Sequence, residues 1–166
     1  YSFDGDTTIT SASGDNIDVA VTAEFSVVTD AFNFNTGTIE LADGANLTVN
    51  SSGGAISIHS IASVAGTSGE TVTINAGGVD SGTETVSLGN VGDSGHTEIH
   101  TLTVSADDGI TLTGAIYTAE AGSAATVTFN DKVIINGTVI IDTDDSTNDG
   151  NIVFNQSIEG ASQGAG

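Results

Sequence analysis

The chain has 166 residues, of which 22 are acidic and only one, Lys132, is basic, so its formal net charge at pH 7 is −21. This charge repels phosphate backbones and anionic membrane surfaces, which makes nucleic acid and lipid headgroups poor partners. Cysteine is absent, so disulfides and thiolate metal sites are excluded. No apolar run approaches the roughly 20 residues that direct membrane insertion requires. With 22 glycines and almost no basic helix formers, the composition predicts an all-β protein.

Short bursts of alternating apolar residues follow one another along the chain. A period of two is typical of strands with one face buried. The bursts are separated by Gly, Asn, Asp and Ser, which favour tight turns. We expect each strand to point its apolar side chains inward and its Thr outward. In chain order the pairs are Ile17/Val19, Phe25/Val27, Phe32/Phe34, Ile39/Leu41, Leu47/Val49, Ile56/Ile58, Val72/Ile74, Val86/Leu88, Leu102/Val104, Ile110/Leu112, Val127/Phe129, Val133/Ile135, Val139/Ile141 and Ile152/Phe154.

The sequence also contains an internal similarity between its two halves. The stretch "HTLTVSADDGITLTGAIYTAE" aligns with an earlier one at a shift of 93, which places Ile9 on Leu102 and Ile17 on Ile110. Later pairs keep a shift between about 92 and 96. Self-similarity of this kind is typical of arrays in which each unit covers its neighbour. We therefore predict one solenoid segment, residues 1–166, with repeat units at 1–63 and 94–162 and an intervening coil at 64–93.

Two folds accommodate such short strands: an antiparallel sandwich and a β-solenoid. The internal repeat favours the solenoid, because a sandwich does not require stacked copies. The spacing of the bursts predicts coils of roughly 22 to 30 residues. The sequence thus predicts a parallel β-helix of about six short coils.

The segment "GITLTGAIYTAEAGSAATVTFNDKVIINGTVIIDTDDSTNDGNIVFNQSIEGA" resembles the repeats of large filamentous-haemagglutinin-like surface proteins of bacteria. The shared features are the "ITLTG" strand, the "NG" turn and the closing "NI-x-F" strand followed by "GA". The resemblance implies a secreted, right-handed β-helical shaft that serves in adhesion, aggregation or fibre building. The extreme acidity of this chain departs from the family pattern.

"DTDDSTNDG" contains alternating oxygen ligands, Asp145, Thr147 and Asp149, followed by Gly150, as in the first half of a calcium loop. The twelfth position, where a bidentate acid is expected, is Gln156. Two interpretations stay open, a Ca²⁺ site and a solvated turn. The candidate ligands are Asp142, Asp144, Asp145, Thr147 and Asp149.

Three other motifs are weaker indications of function. "HTEIH" would put His96, Glu98 and His100 on one strand face as zinc ligands, although an exposed turn explains the same residues. "GDSG" matches a protease string by chance, since a protease also needs a placed His and Asp. Asp107 and Asp108 have the residue type of hydrolase acids, but the chain lacks nearby aromatic side chains to bind a sugar. We therefore predict no enzymatic activity.

Outward Thr in "TVTI", "TLTV", "ITLT" and "ATVTF" would form ladders of the kind found in ice-binding β-helices, provided that they stack in register on one flat face. Thr is also the ordinary polar residue of exposed strands. The sequence leaves both interpretations open.

From these observations we expect a structural segment of an extracellular filament or adhesin shaft at the cell surface, assembling by end-to-end stacking of coils. Its expected partners are further copies of itself, and cell-surface glycans or neighbouring cells. The alternative is a pilin-like sandwich subunit that exchanges a terminal strand, around Ile9 or Val21.

Overall fold

A computed structural model describes residues 2–4, 7–9, 16–64, 66, 68–78, 83–93, 99–119, 124–144 and 149–161. This part of the chain is built from short strands without a helix. The strands are β1 (Ser2–Asp4), β2 (Thr7–Ile9), β3 (Asn16–Val19), β4 (Ala23–Val28), β5 (Phe32–Phe34), β6 (Thr38–Leu41), β7 (Leu47–Ser52), β8 (Ile56–Ser63), β9 (Glu70–Ala76), β10 (Thr85–Val91), β11 (Ile99–Ala106), β12 (Gly109–Leu112), β13 (Ile116–Tyr117), β14 (Thr126–Phe129), β15 (Val133–Ile135), β16 (Ile141–Asp142), β17 (Asn151–Phe154) and β18 (Ile158–Gly160).

The strands wind into a solenoid with three strand positions per coil. The first sheet stacks β1, β4, β7, β9, β11, β14 and β17. The second stacks β2, β5, β8, β10, β12, β15 and β18, and the third position, joined to it, contains β3, β6, the ends of β8 and β10, then β13 and β16. Every pairing between these strands is parallel.

The predicted fold class, an all-β parallel solenoid, is confirmed. Paired residues lie from 22 positions apart, as in Asn16 and Thr38, to 30 apart, as in Val72 and Leu102. Between the first coil, β1–β3, and the incomplete last coil, β17–β18, the chain makes about five turns, where about six were predicted. The right-handed winding stays a prediction. The sandwich alternative is wrong, because parallel strands one coil apart replace the antiparallel hairpins that a sandwich requires.

The core is a set of apolar columns that run along the solenoid axis. Leu47, Val72, Leu102 and Val127 stack in register in the first sheet, and each is completely buried. The polar residues between them point outward, which confirms the predicted alternation. Within the stack, each core side chain is thus covered by the same position of the coils above and below it, and no coil has a core of its own.

Small residues allow tight bends where one strand position leads into the next. Gly89 lies opposite His59 of the preceding coil, between the pairs Leu88–Ile58 and Asn90–Ser60. A Cβ at Gly89 would collide with the carbonyl oxygen of His59. Glycine at this bend therefore sets how closely the two coils approach.

The 93-residue shift matches residues that lie at different positions around the coil. Ile9 belongs to β2 of the second sheet, whereas Leu102 belongs to β11 of the first. Ile17 lies in β3 at the third strand position, whereas Ile110 lies in β12 of the second sheet. The spatial repeat in the described residues is the single coil, and the longer match reflects the alternating pattern that all strands share.

Candidate functional site

Three of the five predicted calcium ligands fall within the described residues: Asp142 ends β16, Asp144 follows it, and Asp149 precedes β17. Oδ1 of Asp142 accepts a 3.1 Å hydrogen bond from the backbone N–H of Asp144. Asp144 and Asp149 form an isolated antiparallel bridge, which brings the two ends of the loop together. Asp145 and Thr147 lie outside the described residues. The described side chains include no group of three or more His, Asp or Glu that could hold a metal ion, so calcium binding stays a prediction.

Of the "HTEIH" residues, His96 and Glu98 also lie outside the part of the chain that the structure describes. His100 lies in β11, and its Nε2 is 3.0 Å from the carbonyl oxygen of Ala124 in the next coil. Its Nδ1 is 3.3 Å from the hydroxyl of Thr101. Both ring nitrogens of His100 therefore have a structural contact, one along the strand and one between coils.

Asp107 and Asp108, the residues with hydrolase chemistry, bind backbone amides of the preceding coil. Oδ2 of Asp107 accepts from the N–H of Gly78 at 3.3 Å, and Oδ2 of Asp108 accepts from the N–H of Glu84 at 3.0 Å. Both carboxylates are thus structural acceptors at a corner, where they hold neighbouring coils together.

The same arrangement recurs at other corners and includes a buried acid that the sequence analysis missed. Oε1 of Glu70, which is 0% exposed, accepts a 2.8 Å hydrogen bond from the N–H of Gly44. Oδ1 of Asp43, in the same coil as Gly44, accepts one of 2.8 Å from the N–H of Ser68. The only sequence signal for such a role is an acid at the start or end of an apolar burst.

The most regular feature of the surface is a set of stacked "TVT", "TLT" and "TVT" motifs in the first sheet. The outward residues of β9, β11 and β14 pair in register from coil to coil. The six threonines among them are half-buried. The threonine face consists of Thr71, Thr73, Thr101, Thr103, Thr126 and Thr128.

The columns of the threonine face continue into neighbouring strands at both ends. Thr48 of β7 pairs with Thr73 and extends one column by a coil. Asn151 and Val153 of β17 follow Thr126 and Thr128 at the other end. The Thr73 column therefore spans the coils from β7 to β17, and the Thr71 column those from β9 to β17.

A column of amides and hydroxyls borders the threonine face. Nδ2 of Asn130 donates to Oγ of Ser105 over 2.8 Å, and Nδ2 of Asn155 donates to Oδ1 of Asn130 over the same distance. Nδ2 of Asn50 donates to Oε1 of Glu24 at 3.0 Å. These side chains bind one another along the axis, which fixes their orientation at the edge of the face.

Charge is distributed unevenly around the solenoid. The outward positions of β7, β9, β14 and β17 carry no Asp, Glu, Lys or Arg, and neither do those of β11. Described acids such as Asp43, Asp107, Asp108 and Asp131 lie at corners beyond the strand ends. A chain with a net charge of −21 thus presents one uncharged face across five consecutive coils.

The last described coil leaves its inner face uncovered. Ile152 stacks on Val127 and Ile158 on Val133, in columns that point into the core. Val127 and Val133 are fully buried, whereas Ile152 is 41% exposed and Ile158 is 51% exposed. Within the described residues, β17 and β18 pair on one side only.

No family model, curated protein or solved structure matches this chain. None of the described residues forms a helix with the length and apolar character needed to span a bilayer.

Proposed function

We propose that this chain is a structural segment of an extracellular filament or adhesin shaft, in which coils stack end to end along one axis. The observation that carries the proposal is the uncovered inner face of the last coil. Ile152 continues an apolar column that is fully buried from Leu47 to Val127, and Ile158 continues one that is fully buried from Phe32 to Val133. A further coil would bury both side chains and gain roughly 25 cal/mol per Å² of apolar surface.

The strand edges support the same role. The unpaired side of β17 and β18 presents backbone N–H and C=O groups that a parallel strand of another coil can pair. A further coil of one longer polypeptide and a coil of a second copy would satisfy these groups in the same way. Either source extends the rod along its axis.

The charge distribution supports an extended rod over a bundle. Acids at the corners, such as Asp43 and Asp107, give the corners of the rod a negative potential that opposes lateral association of shafts. Axial stacking buries apolar columns instead and brings few of these charges together. The resemblance to filamentous-haemagglutinin-like repeats supports secretion to the cell surface and adhesion to glycans or neighbouring cells.

The proposal is tested by assembly of the purified chain over a range of concentrations, followed by sedimentation velocity and negative-stain microscopy. We expect thin, smooth rods whose mean length increases with concentration. Replacing both Ile152 and Ile158 by Asp places charge on the face that stacks, and should keep the particles short.

The matched control is Val64→Asp, because Val64 is 39% exposed but lies at a corner in the middle of the stack. This variant should form rods like the unmodified chain. Circular dichroism establishes that all three proteins are folded. Absence of rods from the unmodified chain, or rods of normal length from the double variant, would contradict end-to-end stacking.

A further inference from the structure

The threonine face is a grid with two different periods. Thr71 and Thr73 lie two residues apart on one strand, which separates such side chains by about 6.6 Å. Thr101 and Thr126 occupy the position of Thr71 in the next two coils, at intervals of about 4.8 Å. The paired registers are uninterrupted across both columns, so the hydroxyl and methyl groups repeat in two dimensions.

The grid is held rigidly. Thr carries two heavy atoms on Cβ, so its χ1 angle has few accessible rotamers. Thr73, Thr103 and Thr128 lie on strands whose backbones pair with a coil on either side. Binding a regular surface to this grid would therefore cost little conformational entropy.

The chemistry of the face restricts what it can bind. A nucleic acid requires basic side chains that neutralise its phosphates, and the outward positions of β7, β9, β14 and β17 have none. The face is the outer surface of a sheet, whereas small organic ligands bind in concave sites. A neutral surface that repeats in two dimensions is matched best by a neutral crystal surface.

We infer that the threonine face binds ice. Planes of hexagonal ice present oxygen atoms at repeat distances of the same magnitude as the two periods of this grid. The hydroxyls of Thr73 and Thr103 can take lattice positions by donating and accepting hydrogen bonds, while the methyl groups between them fit the gaps of the lattice. Because both columns are in register, many weak contacts with the ice surface can form at the same time. A single column would form only a single row of them. This inference is independent of filament assembly.

The experiment measures inhibition of ice recrystallisation and adsorption of the fluorescently labelled chain to a growing ice surface. We expect the unmodified chain to keep ice grains small and to coat the ice. Thr103→Tyr places a large ring at the centre of the grid, between Thr73 and Thr128, and should abolish both effects. Tyr is as favourable as Thr in strands, so the fold is preserved.

The matched control is Thr111→Tyr, which makes the same change at an outward position of β12, between Ser87 and Ile134 on the second sheet. It should leave both ice effects unchanged. Thr103→Val and Thr103→Ser separate the contribution of the methyl group from that of the hydroxyl, and each should retain part of the activity.

Three outcomes would overturn the inference. The first is an unmodified chain that neither inhibits recrystallisation nor adsorbs to ice. The second is an equal loss in the Thr103→Tyr and Thr111→Tyr variants. The third is co-sedimentation with microcrystalline cellulose or chitin, or concentration-dependent pairing of chains, that Thr103→Tyr abolishes while ice is not bound. In that case the face recognises a polysaccharide lattice or a second copy.

Discussion

The side-chain amide of Asn155 donates a 2.8 Å hydrogen bond to Oδ1 of Asn130, the residue at the same position one coil earlier. Asn130 in turn donates to Ser105 of the coil before that. An amide both donates and accepts, so a column of Asn can bind in both axial directions. This column connects three successive coils in addition to their backbone pairing.

Replacing Asn130 by Ala removes both of these hydrogen bonds. We expect the free energy of unfolding to fall by about 1–2 kcal/mol, since each bond contributes on the order of 1 kcal/mol. Asn130→Asp keeps the acceptor for Asn155 but loses the donor to Ser105, so it should cost less than Asn130→Ala at neutral pH. Urea denaturation followed by circular dichroism provides the measurement. Asn136→Ala, at an exposed corner, is the control, and a loss as large as that of Asn130→Ala would contradict the role of the column.

Gly89 offers a test of how closely the coils approach. A methyl group at this position would meet the carbonyl oxygen of His59, which is backbone and cannot move aside without shifting the coil. We expect Gly89→Ala to lower the free energy of unfolding by about 1–3 kcal/mol, as overpacking does elsewhere. Gly160→Ala is the matched control, because a Cβ at Gly160 meets no atom within 4 Å. Equal melting temperatures for the two variants would refute the proposed contact.

Core residues should differ in importance according to their place in the stack. Leu102 has a coil on either side and is 0% exposed, so Leu102→Ala should cost about 2–5 kcal/mol. Ile158 lies on the uncovered last coil and is 51% exposed. Ile158→Ala should therefore cost much less, when measured by urea denaturation at a dilution that prevents assembly. Comparable losses would mean that the last coil is covered in solution.

The strands, and which of their side chains point into the core, were predictable from the sequence because the period of two is a property of each strand alone. The pairs Val72/Ile74 and Leu102/Val104 are fully buried, as the alternation indicated. Short strands and turn residues suited both a solenoid and a sandwich, and the self-similarity of the sequence favoured the solenoid.

The register around the coil was not predictable by self-alignment. Every strand shares one apolar pattern, so an alignment that is wrong by one strand position matches as well as the correct one; this is why Ile9 was matched with Leu102. The threonine motifs were visible in the sequence, but whether they share a face depends on that register. The buried acid Glu70 was missed because its partner, the N–H of Gly44, belongs to another coil.

Asp131 provides the sharpest test of the acids at the corners, because it bridges three coils. Its Oδ2 accepts a 2.9 Å hydrogen bond from the N–H of Ala106, and its Oδ1 accepts one of 3.0 Å from Nε2 of Gln156. Asp131→Ala leaves the N–H of Ala106 without this acceptor, in a residue that is fully buried. We expect a loss of about 1.5–3 kcal/mol, the usual range for hydrogen bonds to a charged group.

Asp131→Asn keeps an oxygen for Ala106 but turns the second acceptor into an amide, so its loss should be intermediate. Asp18→Ala removes an exposed acid of β3 that lies in register with the half-buried Glu40 of β6. It should be neutral or slightly stabilising, because it removes a repulsion between like charges on adjacent strands. Urea denaturation of the three variants at constant salt gives the comparison. The expected order of stability is Asp18→Ala above Asp131→Asn above Asp131→Ala, and it requires that Asp131 accept a hydrogen bond from a backbone amide of another coil. The same effect in all three variants would mean that the acids act through net charge alone.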